Sequence, residues 1–503
     1  MNEARTGRIH SVFARLALVA LLAACASPTP SPTPSPTPSP SLAPSPSASP
    51  VPSVAIVPVV GFWSTATSIA SADLAAVVAG TNTTWTRVIA AAPWPGVTQA
   101  TAADVRTAVN ADRHTLGLLL AGDVTPDVHA LAVDGLDLFG NERLKTLAGW
   151  PLTLPASAAT SGSTFDPAAT WTLVAGGDVM LDRTPYLTMV RDGAGADFAW
   201  DGGIAEITGF RCCNDVGNPV PVTRQTGSAG ALRRLFQDAD LAVVNLEGPA
   251  VDAFSYHPAG YVFTMDPELL AGLAGAGIDA VTIANNHIGN AGTAGILETI
   301  KHLDAIGVGH VGAGADLAAA HAPLIFDVGG RHVALLGFDA IRPGYHATTQ
   351  RPGSAGLDKA RYQADIAAAR KAGADIVVVL PHWGVEYTAA PSSAERASAR
   401  GLIAAGADIV LGSHSHWAGA MEWIAGKPVF YSLGDLIFDL PRSVETLESV
   451  IVEATFAGPT LIQLRLHPTV IVDLVQPNLL EPAGDGATVI ARMHKASTAL
   501  LPR

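Results

Sequence analysis

The chain has 503 residues, of which 49% are apolar, 6% aromatic and 15% charged. This length is enough for two folded domains, and the composition is too apolar for a chain that is disordered throughout. Its 44 acidic and 30 basic residues give a formal net charge of -14, which argues against a nucleic-acid partner because Lys and Arg drive phosphate binding. With three cysteines, the chain is neither a disulfide scaffold nor a Cys-rich zinc module.

The first 25 residues are typical of an export and anchoring signal. Three arginines precede a short apolar run at 16–24, which ends directly at Cys25. The run is shorter than the ~20 residues of a membrane-spanning helix and fits a secretory signal peptide. Its end resembles a bacterial lipobox with Cys25 as the lipidated residue, although an ordinary signal peptide with an incidental cysteine is the alternative. We therefore expect an extracytoplasmic protein that a lipid anchor holds on the bacterial cell membrane.

Residues 26–53 are rich in Pro, Ser and Thr, and every second residue from 28 to 40 is proline. Such a chain has few backbone donors and too few apolar side chains to build a core. We expect a disordered linker of polyproline type that spaces the folded part from the membrane.

Residues 54–165 have the pattern of a small α/β domain. An apolar run opens this region, and the pattern then predicts helices at 73–79 and 102–110 and a strand at 115–120. The segment 128–140 weakly resembles a lobe of phosphate-type solute-binding proteins. A purely structural domain is the other interpretation, so the role of this region stays open.

Residues 166–480 alternate strands and helices and predict a layered α/β domain, followed by a tail at 481–503. The predicted strands are apolar and short, at 171–175, 241–244, 280–284, 332–338, 376–380, 408–411 and 429–432. The predicted helices lie between them, at 229–238, 267–276, 294–306, 360–371 and 394–405. Four of these helices are followed by a glycine suited to a left-handed C-terminal position, namely Gly277, Gly307, Gly373 and Gly406.

Polar side chains suited to metal binding come directly after six of the predicted strands. They occur in the segments GGDVM (176–180), NLEGP (245–249), NNH (285–287), PHWG (381–384), GSHSH (412–416) and GD (434–435). An α/β sheet places its ligand-binding loops at the carboxyl ends of strands, so we expect these segments to meet. The mixture of carboxylate, amide and imidazole suits a pair of divalent ions such as Mn, Fe or Zn.

These motifs resemble, in order, those of the bacterial capsule-synthesis (CapA, or poly-γ-glutamate capsule) branch of the calcineurin-like metallophosphoesterase superfamily. The resemblance covers about 170–440 and is carried by GGDVMLDR (176–183), VVNLEGP (243–249), ANNHIGNAG (284–292), LPHWGVEY (380–387), GSHSHW (412–417) and YSLGDLIFD (431–439). It implies a two-layer β-sandwich flanked by helices, with a dinuclear metal site at one edge.

The resemblance also implies roles for individual residues. Asp178 and His416 would hold one metal ion, Asn286, His382 and His414 would hold the second, and Glu247 would bridge the two. His287 matches the histidine that protonates the leaving group, and a histidine is suited to that task. Arg183 is a candidate phosphate clamp because its guanidinium matches phosphoryl oxygens, with a surface ion pair as the alternative.

This sequence departs from the superfamily pattern at several positions. In the first motif, Met180 stands where the histidine of Asp-x-His is common in the superfamily. The first metal would therefore have one imidazole ligand fewer. Asn245 is an alternative to Glu247 as the bridging residue, but a carboxylate bridges two cations better than an amide does. Asn290 and Asp435 exchange the amide and carboxylate of the family pattern, and we expect both to support the ligands from behind.

Two cysteines and the function are left open by the sequence. Adjacent Cys212 and Cys213 could form a strained vicinal disulfide, remain thiols or pair externally.

The leading hypothesis is a lipid-anchored, metal-dependent phosphoester hydrolase in capsule or cell-envelope polymer synthesis, whose partner is a phosphoester or an anionic envelope polymer. The alternative is a non-catalytic envelope protein that binds or guides an anionic polymer or solute.

Overall fold

The computed structural model describes residues 53–158, 164–214 and 216–501. The predicted lipoprotein signal with Cys25, and all of the predicted linker but residue 53, lie outside the described residues. None of the described helices has the length and apolar character needed to cross a bilayer. From residue 53 onward, the described residues form one compact unit.

The N-terminal sheet comes first in the described chain. Its strands and helices are β1 (Ser53–Gly61), β2 (Ser68–Ile69), α1 (Ser71–Val78), β3 (Arg87–Ala90), β4 (Thr98–Gln99), α2 (Ala102–Ala111), β5 (Thr115–Leu120), β6 (Val128–Ala130), β7 (Ala132–Val133) and β8 (Thr153–Pro155). Five strands pair in the order β4-β3-β5-β1-β6, and β8 pairs with the start of β1. The predicted helices and strand of this region are confirmed. Helix α2 begins at a capping box between Thr101 and Asp104, which satisfies two backbone donors.

Two further sheets come next in the chain. The elements are β9 (Thr170–Val179), α3 (Thr184–Tyr186), β10 (Ile204–Arg211), β11 (Val220–Gln225), α4 (Ala231–Gln237), β12 (Leu241–Leu246), α5 (Ala271–Gly275), β13 (Ala280–Thr282), α6 (Gly292–Ile306), β14 (Gly309–Val311), β15 (Ala313–Gly314), α7 (Leu317–Ala320), β16 (Leu324–Val328), β17 (Arg331–Asp339), β18 (Gly353–Ser354), α8 (Lys359–Lys371), β19 (Ile376–His382), α9 (Ser393–Ala405), β20 (Ile409–Leu411), β21 (Met421–Ile424), β22 (Lys427–Phe430), β23 (Asp435–Ile437), β24 (Glu448–Ala457), β25 (Thr460–Val472), β26 (Gln476–Leu480) and α10 (Gly486–Thr498). One sheet has the order β11-β10-β26-β25-β24-β9-β12-β13-β14 with β23 beside β9, and the other has the order β16-β17-β19-β20-β22-β21.

The two large sheets pack face to face as a sandwich. Leu173 and Val243 of the first sheet share one buried core with Leu335, Val378 and other residues of the second. Each such side chain contributes roughly 1.5–3 kcal/mol by leaving water. Helices α4 and α6 cover the outer face of the first sheet, and α8 and α9 cover that of the second. The predicted mixed α/β fold, a β-sandwich flanked by helices, is confirmed.

The helix ends of the sandwich agree with the sequence signals. Gly277, Gly307, Gly373 and Gly406 all have positive φ, at 81°, 75°, 97° and 113°. A residue with a Cβ is strained there, so these glycines let the chain leave each helix and turn back to the sheet. The predicted helix at 267–276 differs, because a 3₁₀ turn (Pro267–Leu270) precedes the short α5.

Two segments that the sequence left undetermined have definite structure. The predicted tail carries α10, whose Val489 and Met493 enter the sandwich core. Cys212 and Cys213, at the end of β10, are joined by a disulfide. Of the possibilities that the sequence left open, the structure therefore shows the vicinal disulfide.

Candidate metal centre

The strands of both sheets bring polar residues to one edge of the sandwich. In the first sheet β9, β12 and β23 run parallel, so that Asp178 lies beside Asn245 on one side and Asp435 on the other. In the second sheet the parallel strands β17 and β19 end side by side at Asp339 and His382. Because parallel strands end at the same edge, side chains that come directly after such strands meet there.

Glu247 lies at the centre of this edge. Its side chain is 0% exposed, and neither carboxylate oxygen has a hydrogen-bond partner. Its Oε1 lies 3.6 Å from Nε2 of His287 and 4.0 Å from Nε2 of His382. Burial, together with the neighbouring charge of Asp178, raises the pKa of Glu247 well above its ordinary value. An unpartnered buried carboxylate is costly, and a bound cation would remove that cost.

One group of ligand atoms forms around His382. Its Nε2 lies 2.7 Å from Oδ1 of Asn286 and 3.1 Å from Nδ1 of His414. On the opposite side of the ring, Nδ1 lies 3.0 Å from Oγ of Ser413, which orients the imidazole. Burial lowers the pKa of His382 well below its ordinary value and that of His414 to about 3. Both imidazoles are therefore neutral, as metal ligands must be.

A second group forms around Asp178, His416 and Asp435, which lie close enough to hold one ion together. His416 Nδ1 is 2.8 Å from Asp435 and 3.9 Å from Asp178. Burial opposes protonation of His416, but the carboxylates of Asp435, Glu247 and Asp178 raise its pKa to about 10, so a metal ion that binds this imidazole would displace its proton. Burial raises the pKa of Asp435 to about 7, and its Oδ2 has no hydrogen-bond partner.

The residues present fit two divalent ions. The first group consists of amide and imidazole donors, and the second consists of carboxylate and imidazole donors. Glu247 lies within 4.0 Å of the first group, and its charge acts on His416 in the second. We name this set the metal cluster, and its members are Asp178, Glu247, Asn286, His382, His414, His416 and Asp435.

The loop that carries His414 and His416 has an uncommon backbone. Both residues have positive φ, 94° and 60°, which costs of order 1–3 kcal/mol for a residue with a Cβ. The backbone N–H of His414 donates to Asp178 over 3.2 Å, so the strained loop is fastened to the cluster itself. Such strain concentrates at functional sites because other contacts must maintain it.

His287 lies beside Glu247, and its orientation is set by Asn290. The Asn290 amide nitrogen donates to the Phe263 carbonyl and lies 2.9 Å from Nδ1 of His287. With Nδ1 accepting from that amide, the proton of a neutral His287 resides on Nε2, which faces Glu247. Burial lowers the pKa of His287 to about 4.

Arg183 lies near the cluster but already has a partner. Its guanidinium forms an ion pair with Asp439 and lies 4.9 Å above the Phe263 ring, with 13% of its side chain exposed. The structure therefore shows Arg183 in an ion pair, which was the alternative to a phosphate clamp, although this pair is not at the surface. A substrate anion would have to compete with Asp439 for the guanidinium.

Two residues are more closely involved than the sequence indicated. Asp435 is a member of a ligand group rather than only a support behind the ligands. Asn245 donates from its amide to Asp178 over 2.7 Å and so orients this carboxylate, while its side-chain oxygen accepts from Asn285 over 3.2 Å. In the sequence, the signal for Asp435 is its position directly after a predicted strand. Only the pairing of β23 with β9 shows that it lies beside Asp178.

Comparisons with known proteins agree with this site. The family model "Bacterial capsule synthesis protein PGA_cap" matches residues 172–440, a range that contains every member of the metal cluster. Capsule biosynthesis protein CapA of Bacillus anthracis is 32% identical over 253 residues, which are 49% of this chain and 59% of that protein. PGA biosynthesis protein CapA of Bacillus subtilis is 32% identical over 225 residues, which are 43% of this chain and 59% of that protein.

The aligned part thus spans 59% of the length of each of these two curated relatives. Among solved structures, a 5'-nucleotidase precursor from Thermus thermophilus has 16% identity and a TM-score of 0.35, covering 66% of this chain and 59% of that chain. The family model covers more than half of the chain, in the region where the six motifs occur in order. The chain belongs to the bacterial capsule synthesis protein PGA_cap family.

Proposed function

We propose that the protein is a metal-dependent hydrolase of phosphoesters that acts in capsule or cell-envelope polymer synthesis. The single observation that carries this proposal is the fully buried carboxylate of Glu247, whose two oxygens lack partners beside neutral imidazoles. A purely structural carboxylate would be paired or hydrogen-bonded at that depth.

The relatives support the biological setting. Their printed names refer to capsule biosynthesis and to PGA biosynthesis. The proposed place of action is the outer face of the bacterial cell membrane, where Cys25 carries the lipid anchor and residues 26–53 space the folded part from it. Envelope polymers are assembled on that side, so the proposed location and the proposed substrate class are consistent.

Each side chain of the cluster has a definite task in this proposal. Two divalent ions, Mn, Fe or Zn, would polarise the phosphoryl group and ease deprotonation of the attacking water. Asp178, His416 and Asp435 would hold one ion, Asn286, His382 and His414 would hold the other, and Glu247 would serve both. Asn245 keeps Asp178 in position through its 2.7 Å hydrogen bond.

His287 is the proposed general acid. Its Nε2 carries a proton toward the centre of the cluster, where the leaving oxygen of a substrate needs one. Asn290 is the positioning residue, because its amide contact to Nδ1 selects this tautomer and holds the ring plane. In this proposal, hydrolysis therefore depends both on the proton at Nε2 of His287 and on the ring orientation that points it toward the leaving oxygen.

The test is metal content followed by hydrolysis. The full chain is purified in detergent without chelators, its metals are measured by elemental analysis, and bis-(p-nitrophenyl) phosphate hydrolysis is assayed with and without added Mn. About two ions per chain and Mn-dependent hydrolysis that His287→Ala nearly abolishes would support the proposal. A fully metal-loaded protein without activity on phosphomonoesters or phosphodiesters would overturn it and favour polymer binding instead.

A further inference from the structure

We propose that Arg342 and Arg442 together bind the negative charges of an extended polyanionic substrate on either side of the scissile bond at the metal cluster. The inference deepens the proposed function, since it names the class of substrate that the same site takes. Each arginine lies over a tyrosine ring, and each tyrosine connects to a histidine of the site.

Arg342 is held in place by the end of β17. The carboxylate of Asp339, which is paired in register with His382, accepts backbone hydrogen bonds from Ile341 over 2.7 Å and from Arg342 over 3.2 Å. The guanidinium of Arg342 then lies 5.3 Å from the centre of the Tyr345 ring. A cation over an aromatic face keeps its charge available to a ligand while losing side-chain freedom.

Tyr345 connects Arg342 to His287. Its ring packs against Gly289 so closely that a Cβ there would come within 2.5 Å of the ring. Its hydroxyl lies 3.5 Å from Asn290, the residue that positions His287. The contacts from Arg342 through Tyr345 and Asn290 therefore place its guanidinium on the His287 side of the site.

Arg442 occupies a corresponding position near His416. Its guanidinium carbon lies 4.3 Å from the centre of the Tyr387 ring, which stacks on His416 with ring centres 5.8 Å apart. The side-chain amides of Asn214 and Asn218 donate to the carbonyl of Arg442 over 3.0 and 2.6 Å and fix its backbone. Arg442 is therefore held in a fixed position near His416 of the metal cluster.

The charges of these two arginines are not neutralised by the protein. Both residues are exposed, and no carboxylate of the described residues is within ion-pair distance of either guanidinium. Arg183, in contrast, is nearly buried and paired with Asp439. In a chain of net charge -14, most of the surface repels anions, so two free cations at the cluster direct an anion there.

The two arginines lie on different sides of the site, with Arg342 connected to His287 through Tyr345 and Asn290, and Arg442 connected to His416 through Tyr387. A small monoanion at the metals would need neither of them. A chain with repeated negative charges can contact both while one of its bonds lies over Glu247. The shared chemistry is repeated anionic groups, supplied by either phosphates or carboxylates, and the test separates these sources.

Binding measurements on the full-length protein test this inference. Two fluorescently labelled probes are titrated, a ten-residue oligo-γ-glutamate and a polyphosphate of similar length, at low and at physiological salt. We expect Arg342→Gln and Arg442→Gln each to weaken binding of at least one probe about threefold to fivefold, and the double variant about tenfold or more. The Lys variants should retain part of the affinity because they keep the charge.

Arg191→Gln is the matched control, since Arg191 is an exposed arginine 5.5 Å over the Tyr256 ring, and neither residue has a described contact with the metal cluster. If both probes bind the Arg342 and Arg442 variants as tightly as wild type, or if Arg191→Gln weakens binding equally, the inference is wrong. The probe that responds identifies phosphate or carboxylate chemistry.

The proposed function is tested separately on bis-(p-nitrophenyl) phosphate, which carries a single negative charge and not the repeated charges of the two probes. Retained hydrolysis with unchanged probe binding in the variants refutes the arginine pair alone. Loss of probe binding in the variants of a protein that hydrolyses no phosphoester supports the pair and refutes the phosphoesterase.

Discussion

The N-terminal sheet and the sandwich are built from the same kind of buried apolar strand, but they differ in the residues at the strand ends. Strand β5 leads into a 3₁₀ turn at Ala121–Asp123, whereas β9 and β12 lead into buried carboxylates. Both groups of described residues that could hold a metal ion lie in the sandwich. In the described part of the chain, the chemical site is thus marked by a buried carboxylate, Glu247, that the protein itself leaves without a hydrogen-bond partner.

At the contact between the N-terminal sheet and the sandwich, by contrast, a buried carboxylate is fully hydrogen-bonded. Glu453 of β24 is 3% exposed, nearly as buried as Glu247, but it accepts from the backbone of Asn141 and from His467 over 2.8 Å. Nearby, Arg465 and Asp137 form an ion pair of 2.6 Å between β25 and the N-terminal region. The protein satisfies the structural glutamate and leaves the chemical one unsatisfied.

The largest effect should come from Glu247→Gln, which keeps the shape of the side chain and removes its charge. We expect bound metal to fall and phosphoester hydrolysis to decrease at least a hundredfold, or about 3 kcal/mol in the activation barrier. Elemental analysis and steady-state kinetics measure both. The matched control is Glu453→Gln, a similarly buried glutamate whose variant should keep its metal, and equal metal loss in both variants would contradict the comparison.

A core substitution in the N-terminal sheet should affect stability without affecting the metals. Leu118 in β5 is 0% exposed, and Leu118→Ala should lower the free energy of unfolding by about 3 kcal/mol because it leaves a cavity. Urea denaturation measures this loss, while elemental analysis of the folded variant should give the wild-type metal content. Metal loss from a folded Leu118→Ala protein would instead make the N-terminal sheet a support of the cluster.

Acid should remove the stabilisation that Glu453 provides. Burial by itself would raise the pKa of Glu453, but His467 and Arg465 lower it from 4.5 to about 2. Because the folded-state pKa is the lower one, this stabilisation is complete above about pH 4.5 and is lost as the pH falls toward 2, in total about 3 kcal/mol.

Urea denaturation across this pH range is the measurement. Glu453→Gln should lower stability at neutral pH and make the acid-induced loss shallower over the same range. An unchanged slope in the variant would mean that other carboxylates account for the acid sensitivity of the contact.

The smallest effect should come from Asn290→Ala, which removes a positioning residue and no ligand. We expect kcat to fall about tenfold with KM and metal content nearly unchanged, because the His287 ring loses its fixed tautomer and plane. The pH profile of kcat should change shape as well, which a purely structural defect would not produce. Equal falls in kcat and metal content would contradict a positioning role.

Seven strands and five helices of the sandwich were predictable because their signals are local. Apolar runs, terminal glycines such as Gly307 and Gly406, and polar residues after strands are all read within a few neighbouring positions. The predicted strands at 280–284 and 429–432 both end two residues early, at Thr282 and Phe430. Strands β24, β25 and β26 were not predicted.

The candidate site was predictable as a set of residues, but its internal arrangement was not. Asp435 joins a ligand group because β23 pairs with β9, and β23 comes more than two hundred residues later in the chain. Arg183 is occupied by Asp439 through a contact of the same long range. Helix α10 was missed because it lies where the sequence carries no motif, and its amphipathic face has meaning only against the sandwich core.

By itself, the sequence determined the class of fold, seven strands and five helices of the sandwich in their chain order, and the residue types that meet at one sheet edge. These depend on periodicity, on glycine conformation and on the common direction of parallel strands. The tertiary structure alone decided which buried charges are paired. Glu453 finds partners and Glu247 does not, because pairing depends on distances between segments that are far apart in the chain.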